Sequence, residues 1–91
     1  MNNREIFEAY REEAKEAYTK YLEAQAEVSS IEAGAMRRAT MMNPGAEFHQ
    51  LKTLANIELG KWPPYASACG IRNMYMQVTQ LNASMALLYK D

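Results

Sequence analysis

The chain has little of what chemistry usually requires. A single cysteine, Cys69, among 91 residues excludes an internal disulfide and fits a reducing compartment, so the cytoplasm is the expected location. A lone histidine, His49, leaves no zinc set with that cysteine, and the two stand too far apart along the helices for a nucleophile and its base. The glutamates from Glu5 to Glu32 contain no Glu-x-x-His pair of the kind that builds di-metal sites in helical bundles. No catalytic, metal or cofactor site is therefore expected. No apolar run approaches the roughly 18–20 residues of a membrane span, and the opening Met-Asn-Asn-Arg-Glu lacks a signal-peptide pattern. A net charge of −1 provides no field to draw in nucleic acid or an anionic membrane.

Charge is scarce overall but unevenly placed. Residues 1–32 hold eight acids and four bases, a net −4, whereas residues 33–91 hold three acids and six bases, a net +3. Hydrophobic residues make up 48% of the chain, enough to fold one domain, although a domain this small buries only roughly 60–65% of its unfolded surface. That surplus points to self-association.

Proline and glycine are few, and their positions divide the chain. The first proline is Pro44; before it Phe7, Tyr10, Ala14, Ala17, Tyr21, Ala24, Val28, Ile31 and Ala35 recur at spacings of three and four, a heptad seam. Asn2 with Glu5 resembles a capping box, so a first helix is predicted over about 3–42, with Ser29, Ser30 and Gly34 the weakest stretch and a possible kink. Asn43-Pro44-Gly45 turns the chain and suits the cap and first residue of a second helix, predicted over about 45–59 with Phe48, Leu51, Ala55 and Leu59 on its stripe. Lys61-Trp62-Pro63-Pro64 breaks it again.

A third helix is predicted over about 64–89, with Ile71, Met74, Val78, Leu81, Met85 and Leu88 as its heptad seam and Tyr75, Asn82 and Tyr89 flanking it. Arg72 is its only charge, so cover on more than one side is expected. The arms read as a long antiparallel hairpin in which Ala35 faces Ala55 and Ile31 faces Leu59. Further along, Ala24 would face Ile71, Tyr10 would face Met85 and Phe7 would face Leu88. A two-helix seam buries too little to offset chain entropy, which favours a homodimer forming a four-helix bundle.

Partner contact is expected at Trp62, Tyr65, Tyr75, Met76 and Tyr89, because Trp and Tyr dominate binding hot spots and methionine repacks easily. Arg37, Arg38 and Lys52 are candidates for holding an anion or an acidic partner. The function expected is a non-enzymatic protein-interaction module. A nucleotide-sequestering pocket between subunits and a filament or secretion-apparatus subunit are the alternatives. Size, polarity and lack of motif resemble the small helical accessory proteins that phages encode to block host or defence proteins, which implies an inhibitor or adaptor. Asn43-Pro44 followed by Trp62 and Tyr65 is similar to type III secretion needle subunits, from which the alanine-rich first arm departs. The length and hairpin plan resemble the secreted WXG-type proteins, but no Trp-x-Gly is present.

Overall fold

The computed structural model describes residues 1–90. It is all-helical, with three helices: α1 (Asn3–Met42), α2 (Phe48–Gly60) and α3 (Pro63–Leu88). Among the described residues there is no strand. At 1.5 Å per residue a 40-residue helix is about 60 Å long, which matches the 63 Å long axis of the molecule. The other two extents are 22 and 15 Å, so the protein is a rod one layer of helices thick.

α1 starts where Asn2 Oδ1 accepts the Glu5 N–H at 2.8 Å, which satisfies one of the unpaired amides of the first turn. It runs unbroken through Ser29, Ser30 and Gly34, so no break separates its two halves. It ends at Asn43, whose backbone N–H and side-chain Nδ2 both donate to the Ala39 carbonyl.

The turn that follows differs from the one the sequence suggests. The Ala46 N–H donates to the Asn43 carbonyl at 3.2 Å across Pro44 and Gly45, and Gly45 has φ +87. Proline followed by a left-handed glycine is the composition of a type II turn, so Pro44 belongs to the turn and not to α2. α2 therefore begins at Phe48 instead of about residue 45, behind a capping box in which Glu47 and Gln50 exchange side-chain-to-backbone hydrogen bonds. The second break is shorter: the Trp62 N–H still bonds the Leu59 carbonyl, and Pro63 and Pro64 occupy the first positions of α3, where a missing N–H costs nothing.

α2 and α3 both pack on α1, and partners on α1 fall in number as those on α2 and α3 rise. Ala35, Ala39, Ala55 and Leu59 form the buried core at one end, with Ile31, Met36, Leu51 and Tyr65 against it. Tyr65 then reaches Glu32, Arg72 reaches Gln25, and the Tyr89 ring stacks on Tyr10 at the far end. The α1 seam lies where its periodicity puts it: Ala17, Val28 and Ala35 are buried, and Phe7, Tyr10, Ala14, Tyr21, Ala24 and Ile31 are half-buried.

α3 is rotated from its predicted seam. The residues turned towards α1 are Tyr65, Ala68, Arg72, Tyr75, Thr79, Asn82, Ala86 and Tyr89, all buried or half-buried and spaced alternately by three and four. The predicted seam stands one position earlier at each step. Met85 of that stripe is half-buried, but Ile71, Met74, Val78, Leu81 and Leu88 are exposed, Leu81 at 63% and Leu88 at 73%. One residue is about 100° of helix rotation, so the most apolar edge of α3 points sideways into solvent. The expected facing pairs Tyr10–Met85 and Ala24–Ile71 are accordingly replaced by Tyr10–Tyr89 and Gln25–Arg72.

Polar residues can occupy the α3 seam because their hydrogen bonds are met, one turn back along α3 for Thr79 and Asn82 and across to α1 for Arg72. The Thr79 hydroxyl donates to the Tyr75 carbonyl at 2.8 Å, Asn82 Nδ2 donates to the Val78 carbonyl at 2.9 Å, and Arg72 Nη1 donates to Gln25 Oε1 at 3.2 Å. Among the described residues no buried side-chain nitrogen or oxygen lacks a partner, which removes the usual penalty for facing polar groups inward.

Candidate functional site

Two edges of α3 flank its seam, and they differ in character. The residues one position before each seam residue include Ile71, Met74, Val78, Leu81, Met85 and Leu88, an uncharged apolar stripe along the helix. The residues one position after include Cys69, Met76, Ala83, Leu87 and Lys90. Ala83, Leu87 and Lys90 join Phe7, Arg11, Ala14, Lys15 and Tyr18 of α1 in a groove of about 420 Å³. Its floor is apolar and its three charged members, Arg11, Lys15 and Lys90, are all basic. The groove shows that the trailing edges of α1 and α3 share one broad face of the rod; the stripe therefore lies on the other.

The tyrosines expected at a partner surface are engaged within the chain. Tyr65 Oη donates to Glu32 Oε2 at 2.7 Å, and Tyr89 stacks on Tyr10 with ring centroids 6.0 Å apart at 17°. Tyr75 is a half-buried seam residue, and Met76 is half-buried beside it. Trp62, at the cap of α3, is 46% exposed and is the one aromatic of that set on the surface. Further exposed aromatic surface comes from Phe48, which the α2 stripe was expected to bury, and from Tyr18, whose ring stacks on Tyr21 at 5.9 Å and borders the groove.

Of the basic candidates, Arg37 and Arg38 come together over Gly34, and Lys52 stands apart from them. Arg38 forms an ion pair with Glu58 and lines a cleft with Met42, Leu54, Ile57 and Lys61. Lys52 lines a different cleft with Glu32, Met36 and Asn56. Arg37 is exposed, and its guanidinium lies over Gly34 together with that of Arg38. The placement of Arg38 follows from its seam-adjacent position on α1 and the carboxylate at Glu58 facing it.

Hydrogen bonding to Glu32 raises the Tyr65 phenol well above its ordinary value, and burial and the neighbouring Cys69 thiol act in the same direction. Tyr65 is therefore a neutral donor to a carboxylate at neutral pH and joins α3 to α1. His49 is exposed in the first turn of α2, 3.3 Å from Glu47, whereas Cys69 lies on α3 beside Tyr65. Among the described residues no three His, Cys, Asp or Glu side chains converge as a metal site would need, and no helix is long and apolar enough to cross a membrane. No family model, curated protein or solved structure matches this chain.

Sequence reasoning missed the groove and misplaced the stripe. The groove had a signal in the apolar residues Tyr18 and Leu87, which lie off the helix seams and remain exposed.

Proposed function

We propose that the chain is a non-enzymatic interaction module, a cytoplasmic helical hairpin that pairs with a second copy into a four-helix bundle and acts as inhibitor or adaptor of a larger protein. The observation that supports this reading is a rod one layer thick with apolar surface on both broad faces: the α3 stripe on one, the Phe7/Tyr18/Leu87 groove on the other. Stable domains are built from two packed layers, so a single layer leaves faces for other chains to cover. The basic rim of Arg11, Lys15 and Lys90 suits the apolar face of an amphipathic helix that carries carboxylates along its borders.

The experiment is capture from the native host with the wild-type chain and with Leu87→Glu and Trp62→Ala, each checked for retained helicity. Leu87→Glu sets a like-signed carboxylate against that partner and should lose it. A partner held equally by all three chains overturns the assignment of the groove.

A further inference from the structure

We infer that the outer stripe of α3 pairs with the same stripe of a second copy about a two-fold axis, the two α3 helices running antiparallel. The inference rests on the reading of the chain as self-associating and adds a face and a register to it. Ile71, Met74, Val78, Leu81, Met85 and Leu88 are spaced three, four, three, four and three apart, which reads the same from either end. Any heptad stripe of even number has this property; here, in addition, all six members are apolar. With the axis between Val78 and Leu81, Ile71 meets Leu88 of the second copy, Met74 meets Met85, and Val78 meets Leu81. That is the self-complementarity an isologous interface requires, on the spacing that two α-helices sustain along a shared seam.

Charge selects α3 of the second copy as the occupant rather than its α1. Arg72 is the only charged residue of α3 and is turned to Gln25 in the seam, so two α3 helices meet without like-charge repulsion. The edge of α1 on the same face of the rod, one position before its seam, carries Glu13, Glu16, Lys20, Glu23 and Glu27. Laying the stripe across that edge would strip water from carboxylates with no partner on α3 to replace it. The stripe runs from Ile71 to Leu88, seventeen residues apart on α3, about 25 Å of helix. The exposure of Ile71 (50%) and Met74 (48%) continues the apolar surface towards the α2 end of the helix.

Crosslinking tests this in the full chain carrying Cys69→Ala, with Met74→Cys and Met85→Cys made singly and together. The two positions are eleven residues apart on one helix, about 16 Å, beyond the roughly 7 Å limit for a disulfide, so a bridge can form only between copies. The expected result is a native mass twice 10.4 kDa for the unmodified chain, with mild oxidation crosslinking the double variant and neither single variant. A mass of 10.4 kDa at all concentrations overturns self-association itself. A dimer that crosslinks through Met74→Cys alone, or not at all in the double variant, leaves self-association standing and overturns this face and register.

Discussion

Tyr65 of α3 donates to Glu32 of α1 at 2.7 Å, across 33 positions of sequence. The bond closes the rod where α2 gives way to α3, beside the core cluster that Tyr65 itself covers. A hydrogen bond to a charged acceptor contributes about 1.5–3 kcal/mol, less where water reaches it, as at this half-buried pair. Tyr65→Phe is therefore expected to lower stability by about 1 kcal/mol at neutral pH, measured by chemical denaturation.

The same contact sets a pH dependence. The Tyr65 phenol is raised by its bond to Glu32, by burial and by Cys69. A group whose folded value lies above its unfolded value of about 10 stabilises fully below that value and progressively less as pH rises through the folded one. Wild-type stability should fall above about pH 10, and Tyr65→Phe should remove that part of the slope. Equal slopes in the two proteins would contradict the assignment.

The buried cluster between α1 and α2 is small, so its one member larger than alanine matters most there. Leu59 is buried against Ala35, Ala39 and Ala55. Leu59→Ala should cost about 2–5 kcal/mol, most of the stability of so thin a fold. Leu54→Ala, five residues earlier on the same helix and exposed, should cost under about 0.5 kcal/mol. Thermal melts of the pair check the contrast.

Two glycines should respond in opposite directions to alanine. Gly70 lies inside α3 with open space where a Cβ would stand, so Gly70→Ala should stabilise by about 0.5–1 kcal/mol. Gly45 also has open space but holds φ +87, so Gly45→Ala should destabilise by about 1–2 kcal/mol. Melting temperatures of the two variants should move apart by several degrees, about 4–8 °C for each kcal/mol in a domain this size.

A charge placed on the outer stripe should act on association. Val78→Lys puts two like charges within reach of each other at the two-fold and should shift sedimentation from twice 10.4 kDa towards 10.4 kDa. The same substitution one position later, Thr79→Lys, enters the seam against α1 and should lower the melting temperature instead.

The first arm was legible because its two faces differ in kind. Ala14, Ala17, Tyr21 and Val28 are set against an outer face of Glu and Lys, so a shift of one residue would bury carboxylates. α3 has no such marker. With Arg72 its only charge, it presents two heptad stripes one residue apart, and hydrophobicity favours the wrong one. Thr79 and Asn82 look like surface residues, yet each bonds a carbonyl one turn back and can face α1 at no polar cost. The tyrosines mislead in the same way: Tyr65, Tyr75 and Tyr89 read as contact aromatics but are half-buried along the α3 seam, Tyr65 bonded to Glu32 and Tyr89 stacked on Tyr10. The start of α2 was readable from Glu47 and Gln50, which outweigh the proline signal at Pro44.

All of these readings depend on which edge of α3 meets α1. Intrachain nuclear Overhauser contacts from the Tyr10 ring report it most directly, recorded on mixed samples in which contacts between copies are filtered out. Cross-peaks from Tyr10 to the Tyr89 ring, with centroids 6.0 Å apart, are the predicted result. Cross-peaks from Tyr10 to the Met85 methyl and from Phe7 to Leu88, without the Tyr89 contact, would turn the apolar stripe inward and contradict the account.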